Sequence, residues 1–226
     1  METQRSQHVR QQHSLLPSME KKLLIWIAER LPAWINSDHL TLLGFLAMLG
    51  VGLSYWASAW DRRALILAIF GLILNWLGDS LDGTLARVRD QQRPRYGFYV
   101  DHVVDIVGTL FLLGGLAASG YVNPLMGLGL LIGFLMVSAE RYLATHVLGV
   151  FRLSFMRMGP TELRILLATG TLFLLYEPVV TVGDLGSFHL FDLASGCGIL
   201  GMAVTLIVSS IQNTRFLYQA EPLMRR

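Results

Sequence analysis

Residues 64–118 read ALILAIFGLILNWLGDSLDGTLARVRDQQRPRYGFYVDHVVDIVGTLFLLGGLAA. Two apolar runs, Ala64–Ala86 and Val100–Ala118, stand on either side of a basic connector carrying Arg87, Arg89, Arg93 and Arg95. Each run is close to the roughly 20 residues that a membrane-crossing helix needs. A short connector between two such helices makes them antiparallel neighbours. The polar residues they carry (Asp79, Asp82, Asp101 and Asp105) are therefore brought to the same end of the pair.

Working outward, four further segments have the same character: His39–Trp60, Pro124–Ala144, Leu166–Val182 and Leu190–Ile211. The fifth in chain order is interrupted by Glu177-Pro178. Composition agrees: 53% of the 226 residues are hydrophobic and 15% charged, against about 25% charged in a soluble domain. Mean hydropathy is +0.51. The expected fold is all-α, a polytopic membrane protein with six transmembrane helices. The lone Cys197 excludes a disulfide framework and a multi-cysteine zinc site. A net charge of +2 gives no reason to expect a nucleic-acid partner. The polar start, METQRSQHVRQQHS, does not read as a secretory signal.

Before the first span, Leu23, Leu24, Ile27, Leu31 and Trp34 recur at helical spacing within Ser18–Ile35, while Lys22, Glu29 and Arg30 fall elsewhere on the wheel. The pattern predicts an amphipathic helix lying in the interface, with an ordinary packing helix as the alternative. Residues 1–36 thus form a cytoplasmic tail plus interfacial helix, and residues 37–226 a six-helix catalytic domain. Lys and Arg set the orientation. They gather before span one, after span two, after span four and in the tail, whereas only Arg62 and Arg63 lie on the other side. Both termini are expected to be cytoplasmic, as an even number of spans requires.

A carboxylate at the bilayer centre costs roughly 2.5–3.5 kcal/mol on insertion scales, so four aspartates in two spans need a reason. Asp79 and Asp82 are i,i+3 and Asp101 and Asp105 are i,i+4, which puts each pair on one helix face. Asp82 and Asp101 lie at similar distances from the connector, and Asp79 and Asp105 one turn deeper. Four converging carboxylates repel unless cations lie between them. With no His or Cys at ligand spacing, an all-oxygen set suits Mg²⁺, Mn²⁺ or Ca²⁺, and four carboxylates suffice for two divalent ions. Gly83, Ala86, Gly97 and Gly108 fall on the same stripe. Glycine lowers helix propensity, so these serve close helix packing or leave space for a flat ligand. Arg87, one turn beyond Gly83, is placed to meet a phosphate or an aspartate.

The string Asp79-x2-Asp82-Gly83-x2-Ala86-Arg87-x9-Gly97-x3-Asp101-x3-Asp105 resembles the signature of the CDP-alcohol phosphotransferases, integral membrane enzymes. The gap after the arginine is nine residues here instead of eight, and the extra residue falls in the connector. A weaker resemblance covers His39–Gly44. The resemblance implies that a CDP-linked alcohol, commonly CDP-diacylglycerol, donates its phosphoryl-alcohol part to an acceptor hydroxyl with release of CMP, in phospholipid biosynthesis. It implies that Asp79, Asp82, Asp101 and Asp105 ligate two divalent ions, Mg²⁺ or Mn²⁺, and that Asp105 is also the general base. It places Asp79, Asp82, Gly83, Ala86, Arg87 and Gly97 around the CDP moiety. It further implies a cytoplasm-facing site, a homodimer, and a prokaryotic cell membrane as the location.

Glu140, Arg141, Arg152, Arg157 and Arg164 are candidate contacts for the acceptor, although cytoplasmic anchoring is the simpler reading of the three arginines after span four. Asn75, one turn before Asp79, either orients it or bonds a neighbouring helix. Two other functions share part of this pattern. An intramembrane prenyltransferase also uses aspartate-rich helices, but with acidic motifs much farther apart. A cation transporter also carries intramembrane carboxylates, but tends to show internal repeats or broken helices, and neither is evident.

Overall fold

The computed structural model describes residues 17–148, 160–176, 179–181 and 187–221. Seven helices follow one another: α1 (Pro17–Arg30), α2 (Ser37–Ala57), α3 (Ala64–Val88), α4 (Pro94–Ala118), α5 (Pro124–Leu148), α6 (Pro160–Leu174) and α7 (Leu190–Ala220). α2, α3, α4, α5 and α7 are each long and apolar enough to cross a membrane, and α6 is a shorter apolar helix. The chain is a predominantly helical polytopic membrane protein. A small antiparallel hairpin, β1 (Val179–Thr181) with β2 (Ser187–His189), is added between α6 and α7.

Helix limits follow local chemistry. Asn36 caps α2 through a reciprocal box: its Oδ1 accepts from the His39 backbone N–H at 3.0 Å, and its own N–H donates to His39 Nδ1 at 3.2 Å. α4 starts six residues before the expected Val100, at Pro94, because proline is suited to the first helical turn. Asp90 turns the connector with φ of 54°, a left-handed conformation that aspartate tolerates. The expected span Leu166–Val182 was placed too late: α6 covers Pro160–Leu174. The proline again sets the start, and Leu174 is where Arg62 takes over, its Nε donating to the Leu174 carbonyl at 2.7 Å. Arg62, one of the two arginines out of step with the charge asymmetry, thus serves as a C-terminal cap.

α2 lies against both α3 and α4, while α5 pairs with α7 and α6 lies on α3. The backbones approach closely where glycines face each other. A Cβ on Gly78 would stand 2.6 Å from the Gly44 nitrogen, and one on Gly115 would stand 1.9 Å from the Gly52 carbonyl oxygen. One buried core holds Val51, Tyr55, Leu65, Leu72, Leu112 and Leu116, with Leu174 and Phe191. A second joins Leu24 and Ala28 of α1 to Leu40, Leu81 and Leu85. In α3, Asp79 falls between Leu72 of the first core and Leu81 of the second.

The apolar side of α1 is divided. Leu24 and Ala28 pack onto α2 and α3, while Leu23, Trp26 and, just beyond, Trp34 stay exposed. One edge of the helix thus packs on the bundle and the other is exposed. Arg89 fastens its end, donating to the Leu31 and Pro32 carbonyls at 2.8 and 3.0 Å and to that of Ile35.

Candidate metal and diphosphate site

The sequence led us to expect α3 and α4 as direct neighbours, but α2 packs against both and they make little contact with each other; their acidic side chains meet across the space between them. Asp79, Asp101 and Asp105 each place one carboxylate oxygen within 4.8 Å of the others. Asp79 and Asp101 are half-buried and Asp105 is exposed. Asp82 is not part of this triad. Its Oδ2 accepts from the Thr41 hydroxyl at 2.7 Å, and its Oδ1 accepts from the Gly83 backbone N–H. It nonetheless lies within electrostatic reach of Asp79 and Asp101. Ser37 Oγ donates to the Asp82 carbonyl at 3.0 Å, fixing the start of α2 against α3.

Three carboxylates on two rigid helices, with no imidazole or thiolate among them, form a hard oxygen donor set that suits a divalent cation such as Mg²⁺ or Mn²⁺. His102 stands apart from it. Its ring packs on Phe98 at 4.1 Å and on Tyr142 at 5.0 Å. Tyr142 of α5 in turn lies within the field of Asp105 and Asp101, so α5 forms one wall beside the triad.

The residues assigned to the nucleotide flank the cluster along the connector-side ends of α3 and α4. Arg87 is exposed, and its Nη2 donates to Thr84 Oγ1 at 3.0 Å. A Cβ on Gly83 would meet only the tip of Arg87, at 3.3 Å, and one on Gly97 would meet nothing within 4 Å. Helix packing therefore does not account for glycine at these two positions. Gly108 differs, because a Cβ there would touch Met48 at 3.2 Å. Ala86 is half-buried. On the connector, Arg93 pairs with Asp38, and that hydrogen bond raises the guanidinium pKa. Both residues are exposed, so the pair adds little stability.

The acceptor candidates fare differently. Arg164 of α6 reaches the aspartates: its Nη2 donates to Asp79 Oδ2 and its Nε to Asn75 Oδ1, each at 2.7 Å. Asn75 also donates from Nδ2 to the Gly44 carbonyl at 3.0 Å, which is the bond to a neighbouring helix weighed for it; it is linked to Asp79 through Arg164. Glu140 is engaged by α7, accepting from Ser209 at 2.8 Å and Asn213 at 2.7 Å. Arg141 is half-buried on α5. Arg152 and Arg157, like Glu177 and Pro178, lie outside the described residues.

Sequence reasoning missed Thr41 as the partner of Asp82, and it set the anchoring reading of Arg164 above a site contact. Each bond joins helices distant in sequence, by 41 residues for Thr41 and 85 for Arg164. The one available signal was a hydroxyl one turn inside a helix start that already resembled the family.

Fold and site together define a helical membrane protein with a cation-suited carboxylate cluster between two antiparallel spans. Residues 34–209 match the CDP-alcohol phosphatidyltransferase family, and the chain belongs to it. An archaetidylinositol phosphate synthase from Methanothermobacter thermautotrophicus is 32% identical over 115 residues, covering 51% of this chain and 55% of that protein. The chain thus spans about half the length of this curated relative.

Proposed function

We propose that the chain is a phospholipid-biosynthesis enzyme. It moves a phosphoryl-alcohol group, phosphatidyl where the donor is CDP-diacylglycerol, from a CDP-alcohol to an acceptor hydroxyl and releases CMP. The observation that carries this is the meeting of Asp79, Asp101 and Asp105 oxygens within 4.8 Å in a chain of this family. Asp79, Asp82, Asp101 and Asp105 would hold two Mg²⁺ or Mn²⁺ ions, which when bound neutralise the diphosphate and polarise its phosphorus.

The chain's own residues do the rest. Asp105 takes the proton of the acceptor hydroxyl, whose oxygen bonds to the phosphorus bearing the alcohol. The bond from that phosphorus to the bridging oxygen breaks, and CMP departs with the electron pair. A positioned carboxylate base contributes typically 10²–10⁴-fold. Arg87 meets a donor phosphate, and the nucleotide occupies the space left by Gly83, Ala86 and Gly97. A lipid donor is supported by a cavity of about 440 Å³ with apolar walls from Leu72, Ile73 and Ala168, which Arg164 also lines. That arginine binds Asp79, so the cavity adjoins the acidic cluster.

In this reading residues 1–36 are tail and interfacial helix, and residues 37–226 form the catalytic bundle. Both termini and the site face the cytoplasm of a prokaryotic cell, where water-borne nucleotide and membrane-borne lipid meet. The enzyme acts as a homodimer. The test is CMP release by the purified chain from labelled CDP-diacylglycerol with Mg²⁺ or Mn²⁺ and a panel of acceptors: glycerol phosphate, inositol phosphate, serine and a lipid alcohol. Inositol phosphate is included because of the archaeal relative's name. Metal-dependent CMP release with one acceptor is expected. Indifference to CMP and CDP-lipid would return the field to a prenyltransferase or a cation transporter.

A further inference from the structure

Arg164 is half-buried, with its side chain 15% exposed, and it is spent on two partners of one helix. Nε and Nη2 form one edge of the guanidinium plane. That edge spans Asn75 Oδ1 and Asp79 Oδ2, four residues apart on α3, at 2.7 Å each. Asn75 is itself held by the Gly44 carbonyl of α2, so its amide is fixed from both sides. The start of α6 is fixed too: Thr161, one turn before Arg164, donates to Glu20 Oε1 at 3.2 Å, and Trp76 Nε1 donates to the same oxygen at 3.0 Å. Guanidinium, amide and carboxylate are thus locked into one orientation by α1, α2, α3 and α6.

From this geometry we infer that Arg164 is a positioning residue for the metal site, acting through Asp79 rather than on the acceptor alcohol. The inference rests on the proposed metal-dependent transferase reading. A guanidinium bound edge-on fixes the plane of the carboxylate it holds, whereas a lysine ammonium supplies charge at a single point. Partners that orient a metal-ligating carboxylate typically change metal affinity about 10–100-fold when removed. An arginine gripping acceptor phosphate would instead act on the Michaelis constant of the acceptor.

The experiment measures Mn²⁺ affinity by electron paramagnetic resonance on the purified, detergent-solubilised full chain, alongside KM for donor and acceptor. Arg164→Gln is expected to weaken Mn²⁺ binding about 10–100-fold, with acceptor KM within about 2-fold of wild type. Arg164→Lys keeps the charge and serves as the variant to read if the glutamine form does not fold. It is expected to show the same direction, because one ammonium does not replace the two-point hold. In an Asp79→Asn background Arg164→Gln is expected to have no further effect on Mn²⁺ affinity, the signature of action through that carboxylate. Unchanged or tighter Mn²⁺ binding in both Arg164 variants, full rescue by lysine, or a rise confined to acceptor KM overturns the inference while leaving the transferase reading intact. A wild-type chain that neither binds Mn²⁺ nor releases CMP ends both.

Discussion

Thr41 and Asp82 are joined across the α2–α3 contact: the single hydroxyl proton of the threonine is shared between the Asp82 carboxylate at 2.7 Å and the Ser37 carbonyl at 3.0 Å. A hydrogen bond to a charged group contributes about 1.5–3 kcal/mol, and roughly each 1.4 kcal/mol is a factor of ten. Thr41→Val is therefore expected to lower CMP release at least about tenfold, with Thr41→Ser recovering most of it. Initial-rate assays on the two variants check this. Wild-type rates in the valine form would remove Thr41 from the site.

Asp82 and Asp105 are expected to fail in different ways. Asp105→Asn should abolish turnover, within the 10²–10⁴-fold range of a lost general base, while CDP-lipid binding largely survives. Asp82→Asn should retain some turnover but need more Mg²⁺ to reach it. Magnesium titrations with both variants, paired with equilibrium binding of a CDP-lipid, separate the two. An active asparagine form at position 105 would reassign the base.

The glycines of α3 divide by what surrounds them. Gly78→Ala drives a methyl into α2, 2.6 Å from a backbone nitrogen, and overpacking of this kind costs about 1–3 kcal/mol. Thermal unfolding in detergent should show a lower midpoint for it. Gly83→Leu faces only the guanidinium end of the Arg87 side chain and should fold normally yet lose CMP affinity. Equal CMP affinity in that variant and wild type would show that Gly83 leaves no room for a nucleotide.

Metal removal follows from the donor set. An all-carboxylate cluster suits hard cations, so chelation should stop CMP release, and Mg²⁺ or Mn²⁺ should restore it. Activity that persists through exhaustive chelation would contradict the proposed chemistry.

Much of this was legible in the sequence because the decisive contacts are local. The connector between the two acidic motifs is short, so opposite chain directions and matched depth follow from counting residues, and Asp79, Asp101 and Asp105 do converge, although α2 packs against both helices where direct pairing was expected. Asp82 was expected to join them, but Thr41 and the Gly83 N–H hold its two oxygens beside the triad. Helix pattern alone does not reveal such a bond, since it depends on which turn of α2 faces α3. Arg164 was obscured for a related reason: near a membrane surface, an arginine that anchors and one that reaches inward look alike until the neighbouring helix is known. Pro160-Thr161-Glu162 reads as a helix start in the sequence, and α6 does begin there; only the apolar span was misjudged, because apolar residues continue past Leu174.

The shortness of α6 has a consequence for the surrounding bilayer. Its 15 residues rise about 22 Å, less than the roughly 30 Å of a typical hydrocarbon layer. A span that short is matched by local thinning of the bilayer, by flanking side chains that reach back to the surface, or by association with another helix, and Arg164 lies in its first turns.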